Sequence, residues 1–260
     1  MIEISNRKSA INNCVNDLKT GEIAVIAGKG HEKTQEYDHK KIYFSDRKEI
    51  LNSINIKNKK LFKDRRLNII QEKSKFINKN LKINKISINS KDLEQGDIFF
   101  AIKGKKNDGS KFLKEVIKKK PSLIITHKLG KNIPSAKQIK VKDTLNFLTD
   151  CARDYRNNIE TKIIGITGSC GKTSLKQLLG QSLSKISNSY YSPKSFNNKF
   201  GVPLSLLNLK PKKKFGIFEI GMDRKGEIDF LSDILKPNLG IITNISYAHS
   251  KNFKNIKGIA

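Results

Sequence analysis

The chain has 260 residues, 37% of them hydrophobic, enough for packed cores but with no stretch near the roughly 18 consecutive apolar residues of a membrane span. The opening MIEISNRKSAINNC also lacks the apolar run of a leader, so the expected location is the cytoplasm, without membrane insertion. Lys and Arg number 52 against 24 Asp and Glu, a formal charge of +28, but they are spread among Asn and Ile along the whole chain, so anionic small molecules such as nucleotides are expected partners and nucleic acid is not.

Ser5 to Leu18 has apolar residues at helical spacing, and Glu22 to Ala27 (EIAVIA) reads as a short buried strand ending at Gly28. A second strand is expected after that turn. The polar stretch Lys57 to Arg66 is the best linker candidate. Beyond it, strand and helix signals alternate: Asp97 to Ile102 as strand, Ser110 to Lys119 as helix, Leu123 to Thr126 as strand. Thr144 to Arg156 reads as an amphipathic helix with Leu145, Leu148 and Ala152 on one face. The last third runs strand (Lys162 to Ile166), glycine turn, helix (Lys172 to Ile186), strand (Phe215 to Ile220), helix (Glu227 to Leu235) and strand (Leu239 to Ile245). That alternation implies a parallel sheet with right-handed crossovers. Cys14, Cys151 and Cys170 are far apart with no CxxC pairing, so reduced thiols are expected and neither a zinc site nor a disulfide framework.

The chemistry concentrates in Gly165-Ile166-Thr167-Gly168-Ser169-Cys170-Gly171-Lys172-Thr173, a glycine-rich turn between strand and helix. Free backbone amides and a helix N-terminus at such a turn form a phosphate cradle. Lys172 would reach the β and γ phosphates, and Thr173 would offer its hydroxyl to Mg²⁺. The spacing is the compact T-G-S-x-G-K-T, since Ile166 stands five residues before Gly171. Glu219, at the end of the next strand, is a hard oxygen donor where ligand sites of open α/β sheets form.

This loop resembles that of the Mur ligases and the related folylpolyglutamate synthases. Three downstream segments favour the Mur side: Ser195-Phe196-Asn197-Asn198-Lys199-Phe200-Gly201-Val202-Pro203 resembles N-N-x-x-G-V-P, Phe218 to Met222 resembles the E-x-G strand end, and Asn244 to His249 resembles the segment closing on a metal-binding histidine. The resemblance implies Gly168, Ser169, Cys170, Gly171, Lys172, Thr173 and Ser174 as ATP contacts. It implies Lys172, Glu219 and His249 as the catalytic set, and Thr173, Glu219 and His249 as ligands of Mg²⁺. The implied reaction is ATP-dependent amide-bond formation through an acyl phosphate, in peptidoglycan precursor synthesis. Charge builds on phosphate oxygens throughout, which is why metal ions and a lysine are needed.

Ile86 to Ile125 resembles the nucleotide-sugar-binding domain of the branches that add the third residue or the final D-alanyl-D-alanine, with Asn89-Ser90-Lys91 where D-S-R is common, and its pairing with S-F-N-N-x-x-G-V-P most resembles the branch that adds D-alanyl-D-alanine to UDP-N-acetylmuramoyl-tripeptide. Those two molecules are then the implied substrates of a monomer, with contacts at Ser90, Lys91, Asn197 and Asn198. Ala27-Gly28-Lys29-Gly30-His31-Glu32 instead resembles the G-K-G-H-E segment near the C-terminus of the diamino-acid-adding ligase, which implies amino-acid contacts at Gly28 and Glu32. The expected fold class is thus α/β: a small N-terminal Rossmann-like fragment (1–58) and a linker (59–66), a UDP-sugar-binding domain (67–158), and a partial P-loop parallel-sheet ATPase domain (159–260). On this reading neither ligase is whole, and the chain alone is expected to bind nucleotide weakly or not at all and not to complete ligation. Two other classes stay open: a different P-loop nucleotide hydrolase or kinase, and a basic nucleic-acid-binding protein.

Overall fold

The structure is a computed structural model. It describes the chain except residues 1, 2, 5, 19–21, 29–31, 33, 38, 39, 62, 63, 77, 79, 80, 105, 106 and 247–260. The chain divides into two units, Met1–Lys63 and Asp64–Ala260.

In the first unit, helix α1 (Arg7–Asp17) starts where the Asn6 side chain accepts from the Ser9 amide, and it buries Ile11 and Val15, one turn apart. A hairpin of β1 (Thr34–Tyr37) and β2 (Lys40–Tyr43) follows, antiparallel with Thr34 opposite Tyr43. Helix α2 (Asp46–Leu61) packs on α1, and Arg7 clamps Asp46 while donating to the Ala27 carbonyl at 2.9 Å. The buried strand expected at 22–27 is not formed. Those residues have no ladder, and Ile23 and Val25 are 90% and 85% exposed. An apolar run makes a strand only where a neighbouring strand takes its backbone groups, and the hairpin forms further on instead. The stretch read as a linker is largely helical, because α2 runs to Leu61 and α3 (Arg65–Ser74) begins four residues on. Lysine is a good helix former, so a lysine-rich composition does not by itself break a helix.

The second unit holds two parallel four-stranded sheets. In the first, β3 (Ile86–Ser87), β4 (Ile98–Phe100), β5 (Leu123–Thr126) and β6 (Gln138–Lys140) lie in sequence order. Its strands are buried on both faces, as covered parallel sheets are. Ile98, Phe100, Leu123 and Ile125 face α5 (Thr144–Asn157), while Phe99 and Ile124 face α4 (Leu113–Lys118) and Ile133. A 3₁₀ turn at Gly109–Phe112 occupies the start of the helix expected from Ser110.

The second sheet has the order β10-β7-β9-β8, with β7 (Lys162–Thr167) beside β9 (Phe215–Glu219) and β10 (Leu239–Ile242). Helix α6 (Lys172–Ile186) covers one face through Leu175, Leu179 and Leu183 against Ile164, Ile166 and Ile217. Helices α7 (Gly201–Leu207) and α8 (Glu227–Leu235) join α5 on the other. Strand β8 (Ser189–Tyr191) and α7 have no counterpart in the sequence expectations. The two sheets share one core and a polar joint: the Asn208 side chain accepts from the Ile86 amide (2.9 Å) and donates to the Ile86 carbonyl (2.8 Å). Every strand of the second sheet points its C-terminal end the same way, so the loops after β7, β9 and β10 meet on one edge.

Candidate active site

Strand β7 stops at Thr167, and the chain turns through Gly168 (φ 131°) and Gly171 (φ 78°) into α6. At Gly168 only glycine fits, since a Cβ would lie 2.1 Å from Thr243 Oγ1 and 2.9 Å from the Asn244 carbonyl. The loop is pinned to the end of β10. The Ser169 amide donates to the Asn244 carbonyl (2.9 Å), the Cys170 amide to Asn244 Oδ1 (3.0 Å), and Thr243 Oγ1 to the Cys170 carbonyl (2.6 Å). Helix α6 has no side chain capping its N-terminus and no acidic residue in its first turn. Its leading amides and dipole thus face the loop, the arrangement that suits an anion. Lys172 Nζ lies over the loop, donating to the carbonyls of Gly168 (2.5 Å) and Ser169 (3.3 Å).

Glu219 ends β9 and is 2% exposed. Thr173 Oγ1 donates to its Oε2 at 2.8 Å, Asn197 Nδ2 to its Oε1 at 2.8 Å, and Lys176 Nζ to Oε2 at 3.3 Å. Asn197 is itself fixed by accepting the Gly221 amide on its backbone carbonyl at 2.7 Å. A Cβ at Gly221 would come within 2.8 Å of the Asn197 side chain. A cleft of about 440 Å³ opens alongside, walled by Gly168, Ser169, Lys172, Asn197, Gly221 and Asn244 among others. Its size suits a nucleotide.

Of the residues singled out in the sequence, the structure brings Gly168, Ser169, Cys170, Gly171, Lys172, Thr173, Glu219 and Asn197 together. Ser174 is exposed on the first turn of α6. Asn198 lines the cleft, but its Oδ1 accepts from the amides of Phe200 (3.1 Å) and Gly201 (3.0 Å), so it starts α7 as a cap. Ser90 and Lys91 sit on the turn after β3, outside this cleft; the Lys91 amide donates to Asn89 Oδ1 at 3.0 Å. Neighbouring Ser87, Asn89 and Asp92 border a second cleft of about 550 Å³, closed opposite by Tyr190, Tyr191 and Lys194. Gly28 (φ 118°) and the exposed Glu32 belong to the other unit. His249 lies outside the described residues, and among those described no group of three or more His, Cys, Asp or Glu gathers around a point. Thr243 and Lys176 were not anticipated. Neither sits in a recognisable local motif.

Two family models match this chain: the Mur ligase middle domain over residues 166–260, and the catalytic domain of the Mur ligase family over residues 82–156. The chain belongs to the Mur ligase family. Among its relatives are UDP-N-acetylmuramoyl-tripeptide--D-alanyl-D-alanine ligases. That of Buchnera aphidicola (Acyrthosiphon pisum) is 38% identical over 69% of this chain and 39% of its own length, and that of Synechocystis 35% identical over 66% and 38%. A crystal structure of MurF from Acinetobacter baumannii superposes with a TM-score of 0.65 at 31% identity, covering 74% of this chain and 43% of the other. MurF from Thermotoga maritima in complex with ADP superposes with a TM-score of 0.60 at 30% identity, covering 70% and 42%. The chain spans about two fifths of the length of the curated relatives it matches. Neither family model reaches residues 1–81, where the resemblance to a diamino-acid-adding ligase was read. No helix among the described residues is long and apolar enough to cross a membrane.

Proposed function

We propose that this chain carries the ATP-binding and nucleotide-sugar-binding parts of a ligase that joins D-alanyl-D-alanine to UDP-N-acetylmuramoyl-tripeptide. The observation that carries it is the glycine loop meeting Thr173 and Glu219 at the uncapped start of α6. The ADP complex of the Thermotoga relative supports the same use of the cleft. In the reaction, the γ-phosphoryl of ATP passes to the tripeptide carboxylate, releasing ADP. The amine of D-alanyl-D-alanine then attacks the acyl phosphate, forming the amide and expelling phosphate.

The donor set fits Mg²⁺. A hydroxyl and a carboxylate, both hard oxygen donors, meet at 2.8 Å, and this ion characteristically takes one or two protein oxygens and fills its other positions with water and phosphate. Thr173 and Glu219 would hold it, and when bound it supplies charge neutralisation on the phosphates. The protein's own part is positional. The loop amides and the α6 N-terminus orient the phosphates, Lys172 exchanges its contacts with the Gly168 and Ser169 carbonyls for phosphate oxygens, and Asn197 keeps Glu219 in place.

Lys172→Ala should weaken ATP binding by about 10- to 100-fold, the loss of a charge-assisted contact of roughly 1.5–3 kcal/mol. Calorimetric titration reads this, and product formation from tripeptide and D-alanyl-D-alanine is followed in parallel. Unchanged affinity in the variant would remove the nucleotide assignment. Phosphate release that ignores the tripeptide would instead favour a generic P-loop hydrolase.

A further inference from the structure

Lysine is rarely buried, because its ammonium loses more hydration than almost any partner returns. Lys176 is nevertheless 1% exposed, one helical turn after Lys172. Its Nζ donates to Glu219 Oε2 at 3.3 Å and to the backbone carbonyl of Lys194. Lys194 holds a left-handed conformation (φ 49°) in the segment that delivers Asn197 to the other carboxylate oxygen. One ammonium therefore ties together α6, the end of β9 and the segment carrying Asn197.

The three donors to Glu219 differ in what else they can do. A hydroxyl has lone pairs as well as a proton, whereas an ammonium and an amide nitrogen have none to offer a cation. A cation arriving at Glu219 can recruit Thr173 as a ligand, but Lys176 can only hold the carboxylate.

We infer that Lys176 is a positioning residue: it sets the orientation of Glu219 for a divalent cation and, through the Lys194 carbonyl, couples that orientation to the segment bearing Asn197. The inference rests on the ligase reading only in taking Glu219 as a cation ligand. Partners that orient a metal ligand from behind characteristically affect metal affinity by about 10- to 100-fold.

The test measures binding of a fluorescent ATP analogue to the full chain across a Mg²⁺ series and in EDTA. Lys176→Met should raise the Mg²⁺ needed for half-maximal binding by about tenfold or more while leaving affinity in EDTA unchanged. In a Glu219→Gln background the same substitution should add nothing. Equal weakening with and without Mg²⁺, full additivity with Glu219→Gln, or no change overturns the inference, since each marks Lys176 as helix packing alone. If Lys176→Met lacks a cooperative melt, Lys176→Gln, which keeps an N–H donor without the charge, is read against the same outcomes. Binding by the unsubstituted chain that ignores Mg²⁺ removes the cation reading and this inference with it. A Mg²⁺-dependent parent with an unaffected variant removes this inference only.

Discussion

The two parallel sheets of residues 64–260 are alike in strand number and direction, yet helices α5 and α6, which pack on them, start in opposite ways. In the sheet β3 to β6, Asp143 Oδ1 accepts the first amides of α5, from Leu145 at 2.8 Å and Asn146 at 2.9 Å. Asp108 does the same for the 3₁₀ turn that precedes α4. In the sheet around β7, α6 starts at a left-handed glycine with no side-chain cap. A helix whose amides are satisfied by its own aspartate is scaffold. One whose amides are left open beside a glycine loop can receive an anion.

The sharpest break of that contrast is a paired substitution. Gly168→Ala forces a side chain into a backbone conformation open almost only to glycine and against Thr243 and Asn244, at a strain of about 1–3 kcal/mol. Nucleotide binding should fall by about 100-fold. Gly96→Ala, also at positive φ (86°) but before β4, should cost about 1 kcal/mol of stability and leave nucleotide binding alone. A titration and a thermal melt on both variants decide it, and equal losses of binding would dissolve the contrast.

Removing the Asp143 cap is expected to act more gently. Asp143→Ala should cost about 1 kcal/mol, lowering the melting temperature by about 2–4 °C, with ATP affinity intact. A fall in affinity larger than the stability loss would show that the scaffold sheet feeds into the site.

The smallest effect concerns the thiols. Cys170, exposed on the loop, and Cys14 should react with a maleimide, and Mg²⁺ with ATP should slow Cys170 only. Burial pushes the Cys151 thiol up to about 12, so it should stay unlabelled until the chain unfolds. The sign follows from its raised value: the fold prefers the protonated thiol. That contribution is complete below the ordinary value of 9.0 and lost as pH rises from there toward about 12. Mass spectrometry after timed labelling, and melts up to alkaline pH, check both parts.

How much of this was readable beforehand depended on how local each signal is. The loop from Gly165 to Thr173 was legible because its glycines and Lys-Thr pair act within nine residues of one another, and α5, α6 and α8 because their apolar spacing is strong. Strand β3 has two residues, and β6 and β8 three each, and unlike the equally short β4 none of them lies in a continuous apolar run. Lys176 was hidden among 52 basic residues. What distinguishes it is a carboxylate 43 positions away, a partner that only the folded sheet supplies. The misreading of 22–27 has the same origin, since whether an apolar run pairs depends on a neighbour elsewhere in the chain. Asn198, a substrate contact by its motif, lines the cleft while its oxygen also starts α7, a role its motif does not reveal.

The side chain of Asn208 has one more consequence. β3 is the outer strand of its sheet, and Asn208 takes both backbone groups of Ile86 as a neighbouring strand would. The last rung of one sheet's ladder is therefore supplied by the layer that holds the glycine loop. Melting of α7 would uncover that edge, and melting of β3 would leave a buried amide without partners, so the two layers are expected to lose structure in one step. Amide protons in both should then exchange with a common opening free energy.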